Sequence, residues 1–288
     1  MTLVIKIGGA AGVATESILD QIAEYFHTPG ADRRIVLVHG GSDLTNELAK
    51  DLGYEVRTLT SPNGMTSRYT DRKTLRIYSM AVAGQINTEL VAQLQGRGIN
   101  ALGLAGVDGR LLLARRKSAT RALTPEGRVQ IVRDDYTGQI EQVNTRLLET
   151  LLDAGYLPVI APLALSHEGE RLNVDGDRAA AALAGALGAS DLVIATNVPG
   201  LLRDPQDRST LIRRIGAESL EDYSAYAQGR MRKKMLGAKE ALAGGVARVH
   251  IGNAPLADLL AGSGTTIEAV ADAMPREEGV LVTVAASC

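Results

Sequence analysis

The apolar residues of this chain gather in short runs that do not alternate with polar residues. Leu3–Ile7, Ile35–Val38, Leu157–Ile160, Leu192–Ala195 and Ala247–Ile251 are of this kind. A strand that is apolar on both faces must be covered on both faces, so these runs predict buried strands of a parallel sheet. Between them, apolar positions recur at helical spacing over about 15–27, 43–52, 72–97, 143–155, 177–188 and 232–244. Strand and helix taking turns predict an α/β fold, a three-layer αβα sandwich with a mainly parallel central sheet. Residues 110–140 break this rhythm. There Leu111–Ala114 and Val129–Val132, either side of a turn around Pro125-Glu126-Gly127, predict a hairpin laid over the main sheet. With no repeat, low-complexity tract or long linker, 1–288 reads as a single domain with a close cleft. Glu268–Cys288 follows a final strand and reads either as another edge strand or as a loosely held tail.

Composition narrows the function classes. Lys plus Arg is 31 and Asp plus Glu is 33, a net charge of -2, which provides no global field for duplex DNA or an acidic bilayer. Aromatics are 3%, with no Trp, so a base-stacking platform is not expected. No apolar run reaches the roughly 18 residues of a membrane span, and the opening Met-Thr-Leu-Val-Ile-Lys6 is too short for a signal peptide. The single cysteine, Cys288, excludes an internal disulfide and suits a reducing cytosol. The expectation is a cytoplasmic enzyme with no nucleic-acid or membrane partner.

Candidate chemistry lies at the strand ends. Lys6-Ile7-Gly8-Gly9 puts a lysine at the end of a buried strand, a costly position unless its ammonium meets an anion; the glycines let backbone N–H groups approach oxyanions. Read alone, it is equally a tight strand-to-helix turn with a snorkelling lysine. His39-Gly40-Gly41-Ser42 brings a second glycine pair to a second strand terminus, where ligands of open parallel sheets bind. His39 itself reads as packed or capping rather than as a base. The polar loop 61–71 carries Arg68, whose planar guanidinium suits a carboxylate, and Arg72, Lys73 and Arg76 extend it as a basic face. Asn173-Val174-Asp175-Gly176-Asp177 precedes an alanine-rich helix, with Asp177 in the N-cap position and both Asn173 and Asp177 able to hold a substrate or orient lysines. Thr196-Asn197-Val198-Pro199-Gly200 is either a nucleotide wall or a plain turn. Arg230, Arg232, Lys233 and Lys234 stand just ahead of a helix, against its dipole, and call for an anion such as phosphate or for solvent.

Taken together, Lys6-Ile7-Gly8-Gly9, Val38-His39-Gly40-Gly41, Arg68, Asn173 to Asp177, Thr196 to Gly200 and Gly229-x-Met231-x-x-Lys234 resemble the amino acid kinase family, in its N-acetylglutamate kinase branch, over about residues 2–267. The stretch Ser61-Pro62-Asn63-Gly64-Met65-Thr66-Ser67-Arg68-Tyr69-Thr70-Asp71 looks like the S-P-x-G-x-x-S-R-(Y/F)-T-D loop of lysine-biosynthesis kinases, which act on aminoadipate attached to the amino-group carrier protein LysW. Ser42, where N-acetylglutamate kinases usually carry a third glycine, and Ala161 to Ser166 point the same way.

The resemblance implies a carbamate-kinase-like fold with an acceptor lobe over about 1–170, a nucleotide lobe over about 171–267 and an atypical tail, 268–288. It implies transfer of the γ-phosphoryl of ATP to the side-chain carboxylate of carrier-bound aminoadipate. By carry-over, Lys6 and Lys234 stabilise the migrating phosphoryl from opposite sides and Asp177 orients them. Gly40, Gly41, Ser42, Arg68 and Asn173 hold the acceptor; Gly8, Gly9, Asn197 and Gly200 hold the nucleotide. Gly8, Gly9, Gly40 and Gly41 do so through backbone N–H groups. Mg²⁺ rides mainly on the nucleotide phosphates, with no protein metal cage. The acidic carrier is steered by Arg68, Arg72, Lys73 and Arg76, and a homodimer is implied. The sequence opens on its first strand without the N-terminal helix of arginine-inhibited relatives, so arginine feedback is not expected. The alternatives are an N-acetylglutamate kinase, a bifunctional kinase of carrier-bound glutamate and aminoadipate, and a non-catalytic sensor on the same fold.

Overall fold

A computed structural model describes residues 1–9, 12–30, 34–124 and 126–269. Eight strands form the central sheet, in the spatial order Arg214–Gly216, Thr265–Glu268, Arg248–Gly252, Asp191–Ala195, Leu3–Ile7, Ile35–His39, Leu157–Ala161 and Ala101–Ala105. All neighbours are parallel except Arg248–Gly252 and Thr265–Glu268. The strands Leu3–Ile7, Ile35–His39, Leu157–Ala161 and Asp191–Ala195 are buried along their whole length, because helices cover both faces. Leu3, Ile5 and Ile7 face one core with Leu19, Ile22, Leu90 and Leu94. Val4 faces the other, packed with the alanine-rich helix Gly176–Ala186 and the helix Arg230–Ala243. Lys6, two residues on from Val4, therefore points to that second face.

The chain leaves Leu3–Ile7 for Ile35–His39 on one side, and Asp191–Ala195 for Arg248–Gly252 on the other. The order reverses between the two, and in parallel sheets the crevice beyond the strand ends at such a point is where ligands bind. Small residues draw the two helices of the second face together. A Cβ on Gly185 would lie 3.2 Å from Gly244 Cα, and one on Gly237 3.1 Å from the Asp177 carbonyl oxygen.

The region 110–140 differs from its expectation. Leu112–Arg116 pairs with Gly138–Val143 in a four-stranded sheet completed by Leu163–Leu165 and Arg171–Asn173. Val129–Val132 pairs instead with Thr120–Leu123 in a separate hairpin. The loop 61–71 also closes a hairpin, Thr58–Thr60 with Thr66–Arg68, and ends on Asp71, which caps the helix Arg72–Ser79 through Thr74 N. The helix expected over 72–97 runs from Arg72 to Gly96 but contains a π-helical turn, Met80–Ile86. Of the expected tail, Glu268 ends the last strand and 270–288 lie outside the described residues. Among the described residues no helix is long and apolar enough to cross a membrane.

At the opposite end of the strands from the crevice, Asp191 accepts from Arg248 Nε at 2.8 Å and Nη2 at 3.1 Å and from His250 Nε2 at 2.9 Å. Burial pushes its carboxyl up, but these donors outweigh that and hold it well below the usual carboxylate range. A depressed carboxylate adds stability above its unfolded value and loses it as pH falls. Asp191→Asn should therefore cost roughly 2 kcal/mol at pH 7, read as a lower denaturation midpoint. The gap from the parent should close as pH drops below about 4, the value of an ordinary aspartate.

Candidate active site

Three charges from three distant segments meet beyond the strand ends. Lys6 Nζ lies 2.7 Å from Asp177 Oδ1, and Lys234 Nζ lies 3.3 Å from Asp177 Oδ2. All three side chains are more than nine-tenths buried. Burial pushes the Asp177 carboxyl up, yet the two ammonium groups outweigh it and hold the carboxyl below its ordinary value. Burial lowers the Lys234 ammonium, and repulsion from Lys6 adds to this against the pull of Asp177. Two cations share one anion, so the cluster has an unbalanced positive charge in a desolvated place. That is a standing affinity for an oxyanion.

The capping differs from its expectation and explains why Asp177 is available. Asp175, not Asp177, is the N-cap of the helix Gly176–Ala186, accepting from Asp177 N at 3.0 Å and Arg178 N at 3.3 Å. Asp177 stands one position inside the first turn, its side chain left for the lysines. The cations expected ahead of a helix lie within one, since it begins at Arg230 after Gly229 with φ 51°. They reach to other elements: Arg230 to Asp43 at 3.3 Å, Arg232 to the Asn63 carbonyl at 3.3 Å and Lys233 to Asp175 at 3.5 Å. The conflict with the helix dipole is met partly by protein carboxylates.

Around this cluster is one cavity of about 1650 Å³, and every residue expected to act in catalysis or to hold the acceptor or the nucleotide lines it. The two glycine turns pack backbone against backbone: a Cβ on Gly9 would lie 2.3 Å from Gly41 N, and one on Gly40 2.7 Å from Gly9 N. Gly8 N donates to the Ala195 carbonyl at 3.1 Å and Gly40 N to that of Ile7 at 3.0 Å, extending the sheet. These two N–H groups are spent, which narrows the expected oxyanion donors to Gly9 and Gly41. Neither N–H donates to any of the described residues.

On the side of the Thr58–Arg68 hairpin, Arg68 donates from Nη1 to Asn46 Oδ1 at 2.6 Å and from Nη2 to the Ser42 carbonyl at 2.9 Å. Asn173 donates through Nδ2 to Thr70 Oγ1 at 2.9 Å, and Thr70 N donates to buried Asp135 at 3.2 Å. Asp135 carried no sequence signal; it also accepts from Thr120 and Thr137, tying the second hairpin to the cavity wall. Gly200, on the far side, has φ 150°, and a Cβ there would meet Thr265 Oγ1 at 2.5 Å. Asn197 lines the same wall. Of the expected basic face, Arg72 and Lys73 lie over the rings of Tyr136 and Tyr54, and Arg76 lines a separate shallow depression. Only Arg68 of that group enters the cavity. Lys117, unmarked by any motif, lines it as well.

A family model described as the amino acid kinase family matches residues 1–253. The chain belongs to the amino acid kinase family. It is 49% identical over 269 residues to the [LysW]-aminoadipate kinase of Deinococcus radiodurans, covering 92% of this chain and 91% of that one. It is 47% identical over 271 residues to the [LysW]-aminoadipate kinase of Thermus thermophilus, covering 92% and 99%. In fold it matches carbamate kinase from Giardia lamblia bound to AMP-PNP, with a TM-score of 0.66 at 15% identity over 93% of this chain and 98% of that one. The expected α/β amino acid kinase architecture and phosphotransferase class both stand.

Within this kinase, Asp177→Asn leaves two buried ammonium groups without a counter-charge. The variant should lose about 3 kcal/mol of unfolding free energy at pH 7, measured by chemical denaturation. An unchanged midpoint would mean that the two lysines move apart at no cost.

Proposed function

We propose that this kinase transfers the γ-phosphoryl of ATP to the side-chain carboxylate of α-aminoadipate carried on an acidic amino-group carrier protein of the LysW kind. A carboxylate oxygen attacks the γ-phosphorus, the bond from that phosphorus to the β–γ bridging oxygen breaks, and ADP leaves as the acyl phosphate forms. The nucleophile is already ionised at neutral pH, so no general base is needed; the obstacle is repulsion between two anions. The observation that carries the reading is the shared carboxylate of Asp177 between Lys6 and Lys234. A phosphoryl group in flight develops charge on its equatorial oxygens, and two fixed ammonium groups on opposite sides stabilise it most at that moment.

The remaining roles follow from position. Gly9 and Gly41 would donate N–H groups to phosphate and acceptor oxygens, with Gly8 and Gly40 shaping the turns. Arg68, Asn173 and Ser42 would hold the amino-acid end of the acceptor in a lobe of about 1–170. Asn197 and Gly200 would line the nucleotide in a lobe of about 171–267. Mg²⁺ enters as part of the substrate, on the β- and γ-phosphates. Among the described residues no group of three or more His, Cys, Asp or Glu is placed to hold a metal.

The cavity's 1650 Å³ exceeds the roughly 300–1,000 Å³ of a single small-molecule site, which leaves space for nucleotide and acceptor together. For the carrier, the stretch 115–134 supports docking beside the cavity. It holds Arg115, Arg116, Lys117, Arg121, Arg128 and Arg133 against Glu126 and Asp134, in a chain whose net charge is -2. These cations, of which Arg115 and Arg116 also pair with Glu141 and Glu170, would add to Arg68, Arg72, Lys73 and Arg76 in steering the carrier. The enzyme acts in the cytoplasm and pairs as a homodimer in this reading.

The deciding assay measures ADP and acyl-hydroxamate formation with carrier-linked aminoadipate, carrier-linked glutamate and N-acetylglutamate. The first should be the best acceptor, and its rate should fall steeply with added salt while that of N-acetylglutamate does not. A preference for free N-acetylglutamate would sink the carrier reading. Lys234→Ala should lower kcat by roughly 100-fold or more with little change in KM. Arg68→Ala should raise KM for the acceptor and leave that for ATP alone. Because burial and repulsion from Lys6 lower the Lys234 pKa, kcat/KM should fall as pH rises, on a limb lying under the ordinary lysine value of 10.5, as that ammonium loses its proton. Lys234→Arg should remove this alkaline limb, since arginine stays charged there.

A further inference from the structure

Behind the second glycine turn is a buried polar group that the mechanism above does not use. His39, 1% exposed, ends the strand Ile35–His39. Its Nδ1 lies 3.0 Å from the carbonyl oxygen of Gly40, and its Nε2 lies 3.2 Å from Asn87 Nδ2. Asn87 Nδ2 is also 2.9 Å from the carbonyl oxygen of Val159. Only one proton arrangement satisfies all three contacts. A carbonyl only accepts, so Nδ1 carries the imidazole proton and donates to Gly40. Nε2 is then the bare nitrogen, accepting one amide proton of Asn87, whose other proton goes to Val159. Burial, with repulsion from Lys6, lowers the His39 pKa to about 4 against the pull of the Gly40 carbonyl, which keeps the ring in this neutral tautomer at pH 7.

Two further features serve this pair. Gly103 lacks a side chain where Asn87 needs the space, since a Cβ there would lie 2.1 Å from Asn87 Oδ1. The π-helical turn Met80–Ile86 directly precedes Asn87 and also sets Val82 and Ile86 against Gly41, at 2.4 and 3.0 Å from where its Cβ would be. Such turns insert a residue into the helical register and often mark functional places.

In a trans peptide the C=O and N–H point in opposite directions. A hydrogen bond that draws the Gly40 carbonyl back to His39 therefore turns the N–H of Gly41 the other way, toward the cavity that Gly41 lines. We propose that His39 and Asn87 are positioning residues for phosphoryl transfer, which lock the Gly40–Gly41 peptide so that the Gly41 N–H is presented to a phosphate oxygen. Rotation of that peptide would present a carbonyl oxygen to an anion instead. The inference rests on the phosphoryl-transfer reading for its kinetic consequence, though not for the geometry.

The test uses two polar substitutions at one buried position. The amide nitrogen of asparagine can stand where Nδ1 of histidine does, and the amide oxygen of glutamine, an acceptor, where Nε2 does. His39→Asn keeps the donor to Gly40, and His39→Gln keeps only the acceptor for Asn87. His39→Asn should hold kcat within about 3-fold of the parent and His39→Gln should lose 10-fold or more, with similar thermal midpoints. Equal kcat in the two variants, whether retained or lost, overturns the proposal. The amide resonance of Gly41 gives a readout independent of turnover. AMP-PNP should shift it in the parent and in His39→Asn but not in His39→Gln; the same shift in both variants also overturns the proposal. A parent that binds AMP-PNP with that shift, yet phosphorylates no carboxylate, would overturn the functional reading and leave the peptide lock standing.

Discussion

One carboxylate placed between two ammonium groups governs this structure, because each partner alone would be too costly to bury. Asp177 without its lysines, or either lysine without Asp177, is a desolvated charge of several kcal/mol. Together they hold, with one positive charge left over. The fold can place them only by bringing the end of its first strand, the first turn of the helix at Gly176 and the second turn of the helix at Arg230 to one point. Much of the remaining sequence serves this meeting. The alanines and glycines of the two helices let their backbones approach closely enough for a buried Lys234 to reach across.

A second layer of constraint lies in the glycine turns, whose close backbone contact leaves no space for a side chain at Gly9 or Gly40. Their N–H groups divide into two kinds. Those of Gly8 and Gly40 continue the sheet ladder and fix the turns, and those of Gly9 and Gly41 have no such duty. Rigid, already oriented donors cost no reorganisation when charge develops, which is why such donors are effective in catalysis. The Asp135 network does the same work across the cavity, holding Thr70 and through it Asn173.

The parallel core was legible because strands such as Leu3–Ile7 and Ile35–His39 carry apolar residues on both faces, and that same pattern marked Lys6 as out of place. Local pattern failed where the choice depended on distant partners. Leu112–Arg116 could pair with either neighbour on sequence grounds; it takes the half-polar Gly138–Val143, whose outward side chains hide its strand character. Ala101–Ala105 gave no strand signal because it is built of small residues and leucines, and its Gly103 makes way for Asn87. Asp175 and Asp177 are both acceptable caps, and only the position of the first helical residue decides between them. The pairing of His39 with Asn87 joins residues 48 positions apart and has no local signature at all.

The central sheet runs unbroken beneath both sides of the cavity, so its two glycine turns stand on adjacent strands, Leu3–Ile7 and Ile35–His39. Neighbouring strands keep a spacing of about 4.8 Å, and nothing in a fully packed sheet can stretch it. The floor is thus a fixed ruler, the same for a short acceptor and a long one. In the reaction proposed here, whatever selects among dicarboxylates that differ by a methylene would have to be written in the overhanging hairpins, which can be lengthened, tilted or recharged without disturbing that floor.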